Sequence, residues 1–292
     1  MTCRACPFEC DVDRSRKLGV CGANDRFEIS LAQLHHWEEP PISGTRGSGT
    51  IFFSHCNLRC RFCQNYEISQ LGHGREVTSE RLLAIMLELE QQGAHNINLV
   101  SPTHYSDQLL PVLQIARAKL RIPIVWNSNG YEKAETLARF ERLVQIYLPD
   151  LKYYSDELGR ACSSAPDYFR FASAAIKEMK RQVGRNRYDE HGLIEEGLII
   201  RHLVLPDHTD DSKQLLKWIH DDLGPSTSVS LMAQYYPVHR AAELQGMNRR
   251  LSTEEYEVVR RRFDELSFEE GFAQEPSSAS RDFTPDFDGR GT

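Results

Sequence analysis

The segment TIFFSHCNLRCRFCQN (50–65) decides the fold prediction, because a short apolar strand runs directly into a loop with three cysteines. Its first residues, TIFFS (50–54), are mostly β-branched or aromatic, which is typical of a buried strand. Cys56, Cys60 and Cys63 then fall within eight residues. A loop of this length can fold three thiolates around one inorganic core. Three cysteine ligands on a 4Fe-4S cluster leave one iron open to another ligand.

The sequence after this segment alternates short apolar runs with stretches of helical spacing, which predicts βαβ units and a parallel sheet. Strands are predicted at 50–54, 95–100, 122–127, 144–151, 197–205 and 228–235. Helices are predicted near 79–92, 106–118, 132–141, 167–183, 210–222 and 252–270. This pattern predicts an α/β fold, a partial (β/α)6 TIM-like barrel with a Cys-rich N-terminal extension. Its ligands are expected at the carboxyl ends of the strands, and a doubly wound sheet is the alternative.

Three regions are predicted along the chain. Residues 1–45 form a Cys-rich, metal-binding extension, and residues 46–273 form the barrel. The remaining segment, 274–292, is rich in Pro, Ser, Gly and Asp and lacks apolar periodicity, so a disordered tail is predicted.

Composition excludes several classes of protein. The 292 residues carry a net charge of -7 with both signs mixed, which argues against nucleic acid as the main partner. No apolar run approaches the roughly 20 residues that cross a membrane, and the N-terminal residues lack a secretory signal pattern. We therefore expect a cytoplasmic protein with no membrane partner. In such a chain, eight cysteines indicate metal binding or catalysis rather than disulfides.

The central cysteines allow a structural zinc site with His55 as one alternative. The spacing Cys-x3-Cys-x2-Cys, with Phe62 before the last cysteine, instead resembles the signature of the radical S-adenosylmethionine (SAM) superfamily. This resemblance implies that SAM chelates the open iron of the cluster through its amino and carboxylate groups. An electron from the reduced cluster then breaks a carbon–sulfur bond, which yields methionine and a 5'-deoxyadenosyl radical. Phe62 would pack near the adenine.

The resemblance extends over roughly residues 3–265 to the branch around pyruvate formate-lyase activating enzyme and its activating-enzyme-like iron-sulfur proteins. The matching segments are 35–69, 96–105, 127–132, 150–157 and 201–211. It implies that Asp150 and Lys152 lie beside SAM, and that Asn129 and Arg201 also belong to the cofactor site. An exposed, solvated Asp–Lys pair is the alternative for the first two residues. Where many relatives carry Gly-Gly-Glu, this chain has Ser-Pro-Thr-His (101–104).

The N-terminal cysteines form a second cluster, which consists of Cys3, Cys6, Cys10 and Cys21. Four thiolates satisfy tetrahedral zinc, and the metal itself can fold such a short segment. Structural zinc is therefore our first interpretation of this cluster. A second Fe-S cluster and unliganded thiols are the alternatives, because cysteine-only sites suit both metals.

These observations predict a radical SAM enzyme that abstracts a hydrogen atom from an unknown protein, peptide or small molecule. The activation of a glycyl-radical enzyme is the nearest analogy, and the modification of a peptide or small molecule is an alternative. A reductant such as flavodoxin or ferredoxin would supply the electron. A zinc-stabilised binding or scaffold protein without turnover is the alternative from another class.

Overall fold

The computed structural model describes residues 2–275 and 285–292. The strands are β1 (Phe27–His35), β2 (Ser48–Phe53), β3 (Arg75–Val77), β4 (Ile97–Val100), β5 (Ile124–Ser128), β6 (Ile146–Pro149), β7 (Arg187–Tyr188), β8 (Ile194–Leu203), β9 (Ser228–Met232) and β10 (Gly271–Ala273). The α-helices are α1 (Pro40–Ser43), α2 (Tyr66–Ser69), α3 (Ser79–Gln91), α4 (Ser106–Lys119), α5 (Ala134–Leu137), α6 (Asp156–Ser163), α7 (Tyr168–Val183), α8 (Thr209–Trp218) and α9 (Thr253–Leu266). Short 3-10 turns lie at Thr103–Tyr105, Ala138–Phe140 and Ala241–Glu243, and a π turn (Ile219–Leu223) extends α8.

The strands form one open, twisted sheet. In the described parts of the chain their order is β10-β9-β8-β6-β5-β4-β2-β1-β3, with β7 attached to β8. Every pair from β10 to β2 in this order is parallel, whereas β1 pairs antiparallel with both β2 and β3. The predicted α/β fold with an open, mostly parallel barrel is therefore confirmed, and the six predicted strands correspond to β2, β4, β5, β6, β8 and β9.

Helix α3 shows how the sequence builds the outer layer. The Thr78 side chain accepts a hydrogen bond from the backbone N–H of Arg81, which caps the first turn of the helix. Buried apolar side chains then recur at helical spacing and join the large core between the helices and the sheet: Leu82, Ile85, Met86 and Leu89. Among the described residues, no helix is long and apolar enough to cross a membrane.

The inner face of the sheet is covered mainly by the chain that links β1 to β2. Ile42 of α1 packs against Val125, Ile146 and Leu148 of neighbouring strands. The alternate residues of these strands, such as Trp126, join the core on the helix side, because side chains along a strand point to opposite faces. Helix α1 therefore covers part of the inner face of the sheet. A cavity remains at the carboxyl ends of the strands, and Pro40 of α1 lines it.

Strand β1 lies within the region predicted as an extension (1–45) but belongs to the barrel sheet. Its pairing with β2 runs from Ile29 opposite Phe53 to His35 opposite Ser48. The pairing gives hydrogen-bond partners to the free edge of β2. The part of the predicted extension that precedes the sheet is therefore 2–26.

The predicted disordered tail (274–292) differs from the structure. The backbone N–H of Gln274 donates to Leu231 O at 2.9 Å, and that of Gly289 donates to Ser30 O at 3.0 Å. The Phe287 ring packs against Phe52 with 5.4 Å between centroids. Residues 285–292 lie beside the part of β1 that β3 leaves unpaired, because backbone pairing needs little apolar content. The stretch 276–284 lies outside the described residues.

Candidate functional site

The carboxyl ends of the parallel strands surround a cavity of about 550 Å³. Eight side chains predicted from the sequence for the cluster and cofactor site line this cavity: Cys56, Cys60, Phe62, Cys63, Asn129, Asp150, Lys152 and Arg201. They come from the segments that follow β2, β5 and β6 and from β8 itself. Because parallel strands end at the same edge of the sheet, residues far apart in sequence meet here.

Each of the three central sulfurs has a hydrogen-bond donor beside it. Asn129 Nδ2 lies 3.2 Å from Cys56 Sγ, and the Ser163 hydroxyl lies 2.9 Å from Cys60 Sγ. The Ser69 hydroxyl lies 3.2 Å from Cys63 Sγ. Donors directed at sulfur stabilise thiolates and tune the potential of a bound cluster.

Burial makes these thiols poor acids on their own. It raises the pKa of Cys56 to about 11 and the pKa of Cys63 to about 12. A thiolate at such a position needs a cation, and iron ions supply one. Three cysteines that line one cavity, each with a hydrogen-bonding group beside its sulfur, are a ligand set that would hold a 4Fe-4S cluster and leave one iron open.

A turn at Asn129-Gly130, directly after β5, brings the Asn129 side chain to Cys56. Gly130 has a φ of +76°, and a Cβ there would collide with the backbone oxygen of Asp150. Only glycine fits this conformation and this close approach. The turn directs Asn129 Nδ2 at Cys56 Sγ and also at Asn57 Oδ1, 2.8 Å away.

Asp150, Lys152 and Arg201 form a buried ionic network rather than a solvated surface pair. Asp150 lies 2.6 Å from Lys152 Nζ and 2.9 Å from Arg201 Nε. Burial alone would raise the pKa of Asp150, but Arg201 and Lys152 hold it below its ordinary value. The Arg201 guanidinium also donates to Asn127 Oδ1 at 2.6 Å and to Glu38 Oε2 at 3.1 Å. The network therefore positions charge at the cavity wall.

Two acidic residues of the cavity were missed at the level of sequence. Glu38 accepts hydrogen bonds from Asn98 at 2.9 Å and from Asn127 at 3.2 Å. Glu39 also lines the cavity, is 9% exposed, and has one carboxylate oxygen without a partner. Burial raises the pKa of both groups. The available signal was the adjacent acidic pair just before Pro40, in a segment that already matched the family.

The segment that replaces Gly-Gly-Glu divides into two parts. Ser101 lines the cavity, and its backbone N–H donates to Asn127 O at 2.8 Å. His104 is 2% exposed and places Nε2 2.9 Å from Ser54 O. Tyr105 packs against Phe53, with 5.5 Å between ring centroids. His104 and Tyr105 therefore support the loops and do not line the cavity.

Phe62 packs edge-on against Tyr235, with 5.6 Å between ring centroids, and both rings line the cavity. An aromatic wall of this kind suits a planar base, such as the adenine of SAM that the family resemblance implies here.

The four N-terminal cysteines lie together against the back of this site. Cys3, Cys6 and Cys21 are buried, and Cys10 is half-buried. Burial, together with the nearby Cys21, Cys3 and Cys10, raises the pKa of Cys6 to about 12. In residues 2–275 and 285–292, no group of three or more His, Cys, Asp or Glu side chains is already arranged around a single-ion centre.

The N-terminal segment also contacts the loops that carry the central cysteines and Asn129. Arg59 donates to the backbone oxygen of Val20 at 2.8 Å. Phe8 packs edge-on against Tyr131, with centroids 5.5 Å apart. The segment therefore supports the cavity from outside without lining it.

Comparison with known proteins gives the family context. The model of the radical SAM superfamily matches residues 50–219. The uncharacterized protein MJ0674 of Methanocaldococcus jannaschii is 32% identical over 266 residues, which cover 87% of this chain and 72% of that protein. The pyruvate formate-lyase-activating enzyme of Clostridium pasteurianum is 22% identical over 198 residues, which cover 64% of this chain and 74% of that enzyme.

Solved structures show the same fold. SuiB of Streptococcus suis has a TM-score of 0.50 and 15% identity, with coverage of 78% of this chain and 48% of that chain. Methylornithine synthase (PylB) has a TM-score of 0.50 and 17% identity, with coverage of 73% of this chain and 60% of that chain. The chain thus spans about half the length of the solved structures that it matches.

Proposed function

Because the chain belongs to the radical SAM superfamily, we propose that it reductively cleaves SAM at a 4Fe-4S cluster held by Cys56, Cys60 and Cys63. When bound, the reduced cluster supplies one electron that breaks a carbon–sulfur bond of SAM, and the resulting 5'-deoxyadenosyl radical takes a hydrogen atom from the substrate. The observation that carries this proposal is the convergence of three thiols and a buried ionic network on one cavity.

The side chains around the cavity have separate roles in this proposal. The three thiolates hold the cluster and leave one iron for SAM. Lys152 offers an ammonium group for the SAM carboxylate, and Asp150 offers an acceptor for a polar or cationic group. Arg201 holds Asp150 in place, and Phe62 provides a packing surface for the adenine.

The test is anaerobic reconstitution with iron and sulfide, reduction, and measurement of 5'-deoxyadenosine after SAM is added. The wild-type protein is expected to form it, and Cys60→Ala is expected to lose this activity. Cys162→Ala is the matched control, because this buried thiol contacts Met247 Sδ at 3.8 Å and does not line the cavity. Full activity in Cys60→Ala would refute the assignment, and so would equal loss in both variants.

The hydrogen donor in our proposal is a glycine of a glycyl-radical enzyme. The similarity to an activating enzyme supports this choice, at 22% identity. A peptide or small molecule is the second candidate, and a scaffold without turnover is the third. A glycyl-radical signal in electron paramagnetic resonance that requires this chain, SAM and the partner would support the first. Formation of 5'-deoxyadenosine without such a signal favours the second, and no cleavage under any condition favours the third.

We also propose a structural zinc ion at Cys3, Cys6, Cys10 and Cys21, with a second Fe-S cluster as the alternative. Metal analysis distinguishes the two: zinc together with the iron of one cluster supports the first, and about twice that iron without zinc supports the second. We place the reaction in the cytoplasm. A reductant such as flavodoxin or ferredoxin would supply the electron.

A further inference from the structure

Arg14 carries a buried positive charge that the barrel does not balance. The residue is 6% exposed, and its Nε and one terminal nitrogen are buried without a hydrogen-bond partner. The other terminal nitrogen donates to His104 O, and the guanidinium lies 5.5 Å from the centroid of the Tyr105 ring. Within the part of the chain that the structure describes, no carboxylate forms an ion pair with Arg14. A guanidinium stays charged in a protein, so this burial needs a compensating anion.

The four N-terminal thiols become anionic when they bind a metal, because metal ligands must be deprotonated. Arg14 falls between Cys10 and Cys21 in sequence, and the backbone N–H of Cys3 donates to Val12 O at 2.9 Å, two residues before Arg14. Zinc bound by four thiolates is a dianion, and so is an oxidised 4Fe-4S cluster bound by four thiolates. Either centre would balance the buried guanidinium and accept hydrogen bonds from its two unused nitrogens.

We propose that Arg14 is the counter-charge of an anionic metal tetrathiolate held by Cys3, Cys6, Cys10 and Cys21. This inference rests on the metal proposed for the N-terminal cysteines and not on SAM cleavage. The four cysteines would hold the metal as thiolates, and the guanidinium would offset their negative charge. Loss of the metal leaves an unbalanced buried charge, so the metal and Arg14 stabilise each other.

The same residue connects the N-terminal centre to the catalytic loop. Arg14 donates to the backbone oxygen of His104, and His104 Nε2 lies 2.9 Å from the backbone oxygen of Ser54. Ser54 ends the strand segment that leads into Cys56. Two hydrogen bonds therefore link Arg14 to the segment that leads into the central cysteines.

The experiment uses the full chain, purified without oxygen, with metal content and metal affinity as the readouts. Arg14→Gln keeps an amide donor for His104 O but removes the charge, whereas Arg14→Lys keeps the charge. Arg16→Gln is the matched control, because the Arg16 side chain is 86% exposed. Competition with a chromophoric chelator measures zinc affinity, and iron and sulfide analysis measures a cluster.

Arg14→Gln is expected to lower metal affinity about 10- to 100-fold, as removal of groups that support metal ligands does. Arg14→Lys is expected to lose less affinity, and Arg16→Gln to match the wild type. Zinc in the wild-type protein identifies the centre as a zinc tetrathiolate. Iron in excess of one 4Fe-4S cluster identifies it as a second cluster. If Arg14→Gln does not fold, Arg14→Lys carries the test: a partial loss of metal affinity supports the proposal, and wild-type affinity refutes it.

Equal affinity in the wild type and Arg14→Gln would refute the proposal and leave Arg14 as a structural anchor for His104. A wild-type protein without N-terminal metal would also refute it. Neither result bears on 5'-deoxyadenosine formation, so a failure of this inference is distinguishable from a failure of the proposed function.

Discussion

Replacement of Asp150 by Asn is expected to destabilise the fold and weaken SAM binding, because this carboxylate is shared by two buried cations. It lies 2.6 Å from Lys152 Nζ and 2.9 Å from Arg201 Nε, and each of the three side chains is 16–17% exposed. Arg201 keeps Glu38 at 3.1 Å, but no other carboxylate in the described residues pairs with Lys152. Asp150→Asn therefore leaves chiefly the Lys152 ammonium without an ionic partner.

The magnitude follows from the burial of this pair. Removal of one member of a buried ion pair costs about 3–5 kcal/mol, and the remaining amide acceptor favours the lower end, near about 3 kcal/mol. Burial lowers the pKa of Lys152 and Asp150 raises it, so the substitution makes the ammonium easier to deprotonate. A loss of about 1.4 kcal/mol from the contact between Lys152 and SAM corresponds to tenfold lower SAM affinity.

The assay compares urea unfolding of cluster-loaded wild type and Asp150→Asn at pH 7, together with SAM affinity and the cluster spectrum. The pKa of Asp150 lies below its ordinary value, so its contribution is present at pH 7 and is lost as pH falls through the folded-state pKa. Asp222→Asn is the matched control, because Asp222 pairs with Lys177 at 2.7 Å with side chains 39% and 51% exposed. The control is expected to cost less than about 1 kcal/mol.

An unchanged cluster spectrum is expected in both variants. The reasoning fails if Asp150→Asn and Asp222→Asn lose similar stability, or if SAM affinity is the same in Asp150→Asn as in the wild type.

Two further predictions concern side chains away from the cluster. Phe287→Ala is expected to cost about 1–3 kcal/mol of unfolding free energy, because the ring packs on Phe52; a melting temperature equal to wild type would show that the C-terminal contact contributes nothing. Glu132 is 1% exposed and accepts hydrogen bonds from Thr103, Trp126 and Ser128, and burial raises its pKa above 4.5. The contribution of Glu132 to the free energy of unfolding is therefore present below the ordinary pKa of a glutamate. It is lost as pH rises through the raised pKa of Glu132. Glu132→Gln should reduce the fall in stability as pH rises above the ordinary pKa of a glutamate, and an identical pH profile in both proteins would contradict this reasoning.

Much of the fold and of the cavity could be predicted from local pattern. The alternation of apolar runs and helical stretches identified the parallel strands, because side-chain periodicity is a property of each segment alone. The position of Cys56, Asp150 and Arg201 within or just after such strands then placed them together, since parallel strands end at one edge of the sheet. The family resemblance added their roles as predictions.

Other features could not be predicted, because they depend on partners far apart in the chain. Strand β1 gains its pairing only beside β2, and the C-terminal residues gain theirs only beside β1. Glu38 lines the cavity because it lies just before α1, which packs on the inner face of the sheet. In this position Glu38 accepts a hydrogen bond from Arg201.

The sequence by itself determined the order of strands and helices and the three cysteines of the central loop, because spacing along one segment encodes both. Only the tertiary structure decided which groups surround those cysteines. Ser163 reaches Cys60 across 103 residues, and Arg14 reaches His104 across 90 residues. The physical reason is that burial and charge balance are set by everything that packs around a group, and neighbours in space are not neighbours in sequence.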